Sequence, residues 1–133
     1  MNDENRRTNC ASELARAEEA MRAARVLIDA NLLSDAESRL YYAAYHAVAA
    51  LLLSQGLEAR SHAGVGELLG RHFVKTGRLD PGDARLFARL QKCRIEADYS
   101  TGFVVTLDAA QEDVAACTVL IERIRGLVAT LLP

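Results

Sequence analysis

Residues 40–53, LYYAAYHAVAALLL, constrain the fold more than any other stretch of the chain. Wound as a helix they are apolar on every side, and His46 is the only strongly polar side chain among them. A helix with one core-facing stripe leaves a polar side to water, whereas a helix apolar all round is buried all round. The uncharged run from Leu40 to Leu57 approaches the length of a membrane span. Its strongly apolar part ends at Leu53, however, and it carries His46 and three tyrosines, so it reads as a buried core helix with no membrane role. One bundle built from 133 residues does not readily cover every side of such a helix. The expectation is therefore that a second molecule supplies the missing cover, with a homodimer the commonest solution. A central helix wrapped wholly by its own chain is the alternative.

The rest of the chain reads as further helices. Half the residues are hydrophobic but only 5% are aromatic, with no Trp. That profile suits Ala/Leu-rich helices and argues against a sandwich or barrel. Residues 1–8 are polar and are expected to form a disordered tail, with a single domain over 9–132. A first helix is expected from about Asn9 to Asn31, on a stripe of Leu14, Ala17, Met21, Ala24 and Ile28. Ser34 and Glu37 have capping-box spacing and start the second helix, which Gly56 stops. A shorter third helix spans about Ser61 to Lys75, irregular at Gly64 and Gly66. Asp80 and Pro81 start a fourth that runs to about Tyr99. Thr106 or Asp108 caps a last helix that reaches about Leu132. Short connections imply antiparallel neighbours, hence an all-α, up-down four-helix bundle with one additional short helix.

Charge and cysteine content narrow the functional classes. The net charge of −2 excludes a strongly basic nucleic-acid coat but not a local basic surface. Fourteen of the sixteen basic residues are Arg, whose planar fork suits phosphate or carboxylate. Cys10, Cys93 and Cys117 have no CxxC spacing and read as reduced small hydrophobes. With no apolar leader in the first nineteen residues, the expected location is cytoplasmic.

Three groups of residues carry candidate chemistry. Arg39, Tyr42 and His46 fall at i, i+3 and i+7 on one helix face. A histidine among apolar residues is commonly a satisfied core group. An arginine on its face needs an acceptor, either an internal carboxylate or a bound phosphate. Arg85, Arg89 and Lys92 form a basic stripe, followed by Arg94 and Asp98 four residues apart. They read either as a solvated face with an intrahelical ion pair or as an anion-binding groove whose arginine is held by an aspartate. Arg60, His62, Arg71, His72, Lys75 and Arg78 form a modest basic patch, solvated or tracking a phosphate backbone. There is no P-loop, GxGxxG, HExxH or GxSxG pattern, so neither a metal site nor a cofactor is expected.

Five segments in order bring a family into view: the SRLYYAAYHAVAALLL block from Ser38, then Gln55 to Leu57, Ser61 to Val65, Phe73 to Gly77, and Arg94 to Tyr99. Together they resemble the HEPN domain, over roughly residues 10–130 and most closely its small prokaryotic members. The resemblance implies a helical bundle that dimerises, a toxin–antitoxin-like or defence role, and a minimal nucleotidyltransferase of the MNT type as partner. It also implies interaction with RNA or a nucleotide. Many members are metal-independent RNases with an R-x4–6-H motif, in which Arg steadies the phosphate and His works as general acid or base. Here Tyr99 occupies the position expected for that histidine, and no histidine follows Arg94. Arg39 and His46 do have R-x6-H spacing, on the second helix. The candidate catalytic residues are thus Arg94, His46 and Arg39. The candidate nucleotide- or phosphate-binding residues are Arg39, Tyr42, Arg94, Asp98, Tyr99 and Arg89. Three functions remain open: an RNase toxin or its descendant, a non-catalytic nucleotide- or partner-binding module, and a structural dimer in which Arg39, His46, Arg94 and Asp98 form an internal polar network.

Overall fold

Five helices, and no strand among the described residues, make up the computed structural model, which describes residues 2–133. Helix α1 (Asp3–Asp29) begins well before the expected Asn9. The Asn2 side chain accepts from the Asn5 N–H at 2.8 Å, and Asp3 and Glu4 sit in the first turn, where the helix dipole favours negative charge. Arg7 Nε donates to the Pro133 carbonyl at 3.1 Å. Most of the segment expected as a disordered tail is therefore helical; Met1 lies outside the described residues. The stripe of Leu14, Ala17, Met21, Ala24 and Ile28 is buried as its spacing predicts.

Asn31 closes α1 with a positive φ of 59°, and the Leu32 N–H reaches back to the Leu27 carbonyl at 2.8 Å. Helix α2 (Leu33–Ser54) then starts with Leu32 at its N-cap and no side-chain cap. The capping box expected from Ser34 and Glu37 does not form. Both residues lie inside the helix, and the Glu37 side chain is buried beside Asp113. At the other end Gly56, at φ +69°, terminates α2 as expected, with the Leu57 N–H bonded to the Leu52 carbonyl.

Helix α2 is the centre of the molecule. It packs against α1 most extensively, and also against α3, α4 and α5. Leu40, Tyr41, Ala43, Ala44, Ala47, Val48, Ala50 and Leu51 are all fully buried within the one chain. The cover expected from a second molecule is thus supplied internally, and the argument for a homodimer from the all-round apolar helix does not stand. The reason is side-chain size. Four of those α2 residues are alanines, and α1 contributes buried Ala17, Ala20 and Ala24, so helices approach closely and a short chain suffices to surround the centre. Only Tyr42, Tyr45, His46, Ala49 and Leu53 of the apolar segment remain half-exposed.

Helix α3 (His62–Leu69) is capped by Ser61, whose hydroxyl accepts from the Gly64 N–H at 3.0 Å. The expected irregularity lies further on than Gly64 and Gly66. It is a π-turn over Gly70–Val74, where the Lys75 N–H bonds back five residues to the Gly70 carbonyl at 3.0 Å. Phe73 in that turn is fully buried. Helix α4 (Pro81–Tyr99) starts at Asp80 as expected, whose N–H donates to Asp83 Oδ2 at 3.0 Å. Helix α5 (Leu107–Leu131) is capped by Thr106, which accepts from the Ala109 N–H at 3.1 Å. No helix among the described residues is long and apolar enough to cross a membrane.

Candidate functional site

The half-exposed side of α2 supplies the centre of a cation–aromatic cluster. Tyr41 contacts both Tyr42 and Tyr45 on the same helix, at 5.3 Å and 6.0 Å by ring centroids. Arg39, three residues before Tyr42 on the same helix, places its guanidinium 4.8 Å from the Tyr42 ring centre. Arg94 arrives from α4 and lies 5.3 Å from the Tyr41 ring and 5.8 Å from the Tyr42 ring. Both arginines are within range for attraction to the ring quadrupole.

Arg94 is held rather than free. Asp98, one turn later on α4, lies 3.6 Å from its guanidinium, and Ser38 of α2 donates a hydrogen bond to Asp98 at 3.1 Å. The Arg94 side chain is only 15% exposed, and its Nε is buried without a hydrogen-bond partner. That leaves a partly desolvated guanidinium on an aromatic platform, with donor capacity to spare.

His46 faces a different partner. Its Nδ1 lies 2.7 Å from Oε2 of Glu13 on α1. Arg16 and Glu19 of α1, with Arg39, Tyr42 and His46 of α2, line a groove of about 480 Å³ between the two helices. Arg39 and His46 therefore share one groove, and Arg94 joins them through the Tyr42 ring.

His62 is the member that the sequence reading missed as part of the site, having placed it in a basic surface patch. From the start of α3 its Nδ1 meets Tyr41 Oη at 2.6 Å, and its ring stacks on Tyr45 at 4.5 Å. Burial pushes the Tyr41 phenol up to about 12, against the opposing effect of the Arg94 charge. The usable signal was the Ser61 N-cap, which fixes the first turn of α3; nothing local tells that this turn comes back over α2. The remaining basic residues of that patch behave as surface groups, with Arg71 paired to Glu67 and Arg78 resting on Phe73 and near Gln55.

Arg89 and Tyr99 do not belong to the cluster. Arg89 turns to the opposite side of α4 and pairs with Asp113 of α5 at 2.7 Å. The spacing of Arg85, Arg89 and Lys92 put them on one stripe, but Asp113 offers Arg89 a buried acceptor there. Tyr99, at the last turn of α4, is 78% exposed and makes no part of the aromatic platform. Beside Asp113, Glu37 is 1% exposed, and burial together with the Asp113 carboxylate pushes its acid up to about 8.

The molecule is thus an all-α bundle with α2 at its centre and a guanidinium–tyrosine–histidine cluster on its flank, and comparison with known sequences gives its family. The chain belongs to the HEPN domain family, whose model matches residues 12–130. It is 34% identical over 109 residues to "Putative toxin MJ0605" of Methanocaldococcus jannaschii, covering 82% of this chain and 81% of that protein. A second protein of that organism, "Putative toxin MJ0142", is 28% identical over 98 residues, covering 74% of this chain and 67% of the relative. The "UPF0332 protein glr0978" of Gloeobacter violaceus is 38% identical over 84 residues, 63% of this chain and 67% of the relative.

Proposed function

We propose that this chain is the toxin-like member of a two-component module and that it binds and cuts RNA without a metal ion, at the cluster formed by Arg39, Tyr42, His46 and Arg94. The observation that carries this reading is the pair of guanidinium groups on one tyrosine ring. Arg39 and Arg94 come from different helices, yet both lie within 5.8 Å of the Tyr42 ring centre. Two cations beside an aromatic face, one of them held in place by Asp98, suit a phosphate and an unstacked base together. His46, oriented by Glu13, is the proton-transfer group in the same groove. The names of the relatives support the toxin-like role.

Asp98 in this reading positions Arg94, whereas Arg89 and Tyr99 stand apart from the phosphate. The companion component is an antitoxin of the minimal-nucleotidyltransferase kind, and the compartment is the cytoplasm. Self-association is proposed through the exposed apolar residues Ile95, Tyr99, Val104 and Leu107 around the α4–α5 connection.

The hydrogen bond from Ser38 to Asp98, backing the Arg94 ion pair, favours a second reading: a non-catalytic polar network that fixes how α2 and α4 pack. Incubating purified protein with single-stranded RNA in excess EDTA separates the two. The RNase reading expects cleavage that His46→Ala abolishes with RNA binding kept, and binding that Arg39→Ala and Arg94→Ala weaken. Binding without cleavage by the unaltered protein supports a nucleotide-binding module. No binding, with Arg94→Ala lowering the melting temperature, supports the structural network.

A further inference from the structure

A second cavity adjoins the His46 groove. It measures about 160 Å³ and sits between α1, α2 and the connection from α2 to α3. Leu52 and Leu53 of α2, Leu57 of the connection and Val65 of α3 give it apolar walls. Its carboxylates and its one hydroxyl come from Glu13, Glu58 and Tyr45. Glu13 links the two cavities: it lines this one, and its Oε2 bonds His46, which lines the groove with Arg39 and Tyr42.

These polar groups differ in what they have left to bind. Glu13 is already engaged by the His46 ring. Glu58 is exposed on the connection and has no hydrogen-bond or ion-pair partner among the described residues. The Tyr45 hydroxyl has no such partner among them either, while its ring is held by stacking on His62 at 4.5 Å and 16°. An ionised carboxylate only accepts, and a phenol has an O–H to give. Apolar walls with a free carboxylate and a free hydroxyl suit a flat ring that carries adjacent donors and an acceptor on one edge. Among the RNA bases guanine alone has two adjacent donors, N1–H and the N2 amino group, with the O6 acceptor beside them. Adenine and cytosine set an amino group next to a ring-nitrogen lone pair, and uracil sets its N–H between two carbonyls. Each of those brings a lone pair against a carboxylate.

We propose that this cavity is a guanine pocket, an inference that rests on the RNA-binding reading above and gives it a base preference. Glu58 accepts from N1–H and the N2 amino group, the Tyr45 hydroxyl donates to O6, and the phosphate of the same nucleotide lies in the Arg39–Tyr42–His46 groove. Sequence-selective readers of single-stranded RNA work in this way, splaying out a base and bonding its Watson–Crick edge.

Titration of the full chain with nucleoside 3′-monophosphates tests the pocket without any cleavage. The guanosine compound is expected to bind at least about 10-fold more tightly than the inosine compound, which lacks only the N2 amino group, and than those of adenosine, cytidine and uridine. Glu58→Gln puts a donor in place of an acceptor oxygen on an exposed residue, and is expected to remove that preference with the melting temperature unchanged. Tyr45→Phe is expected to weaken guanosine and inosine alike, since both carry O6. Equal binding of all the bases, or a guanosine preference that survives Glu58→Gln, overturns the proposal. Cut sites on mixed-sequence single-stranded RNA separate the pocket from the reading it rests on. Cleavage next to guanosine that Glu58→Gln spreads to other bases supports both. Cleavage without base preference overturns the pocket and leaves the RNase reading intact, whereas guanosine-selective binding with no cleavage supports the pocket and overturns the RNase reading.

Discussion

Replacing Glu37 by Gln isolates the most perturbed carboxyl described in the bundle. Glu37 is 1% exposed, one of its oxygens has no hydrogen-bond partner, and Asp113, Arg89 and Cys93 surround it from α5 and α4. In the folded chain its acid titrates near 8 against an ordinary value of 4.5, because burial and the Asp113 charge disfavour its anion more than Arg89 favours it. Between those values the unfolded chain has released a proton that the folded chain still holds. Stability therefore falls as pH rises, by up to about 1.4 kcal/mol per pH unit. The contribution is complete below about 4.5 and is lost as pH climbs through about 8, a total of roughly 5 kcal/mol if neither Asp113 nor Arg89 rearranges. Glutamine keeps a donor for Asp113 and cannot ionise. Urea unfolding from about pH 5 to about pH 9 is expected to show a steady loss of stability in the unaltered protein and a much flatter profile in Glu37→Gln. Parallel profiles would refute the claim that Glu37 is held neutral.

The alanine seam around α2 predicts intolerance of larger side chains: Ala47→Leu, at a position with 0% exposure, is expected to cost about 1–3 kcal/mol in denaturant unfolding, and an unchanged midpoint would contradict the close-packed picture. Gly56→Ala forces an L side chain to φ +69° and brings its Cβ within 3.2 Å of Arg6 Nη2, so a loss of about 1–2 kcal/mol is expected in thermal unfolding. Burial pushes all three thiols up, Cys117 to about 12. Timed alkylation followed by mass spectrometry should therefore label half-buried Cys93 first and leave Cys10 and Cys117 unmodified until the chain unfolds.

Helix ends written in short-range chemistry were readable from the sequence. Gly56 as a stop, Asp80 with Pro81 as a start and Thr106 or Asp108 as a cap depend on backbone geometry within a turn; the structure has the first two in place and takes Thr106 as the cap. The buried face of α1 followed from 3.6-residue spacing. Ser34 and Glu37 mislead because the same spacing that makes a capping box also fits a mid-helix acid that packs against Asp113. The greasy circumference of α2 misleads for another reason: hydropathy counts alanine as apolar surface to be covered but does not register how little space it needs. Arg39, Tyr42 and His46 share a face by arithmetic along one helix, and the groove confirms it. His62 joins them, and Arg89 leaves them, through contacts between helices far apart in sequence, which no local pattern encodes.

The widened turn at Gly70–Val74 has an outcome for insertions and deletions. A π-turn holds one residue more than an α-turn, so the chain carries a spare position there. Excising a single residue between Gly70 and His72 lets the turn tighten into ordinary helix while Phe73 keeps its seat in the core. The same excision in the middle of α2 rotates everything downstream by about 100° and swings Tyr45 and His46 out of register with Tyr41 and Tyr42. Length variation among helices of this kind should therefore gather at this one elastic joint.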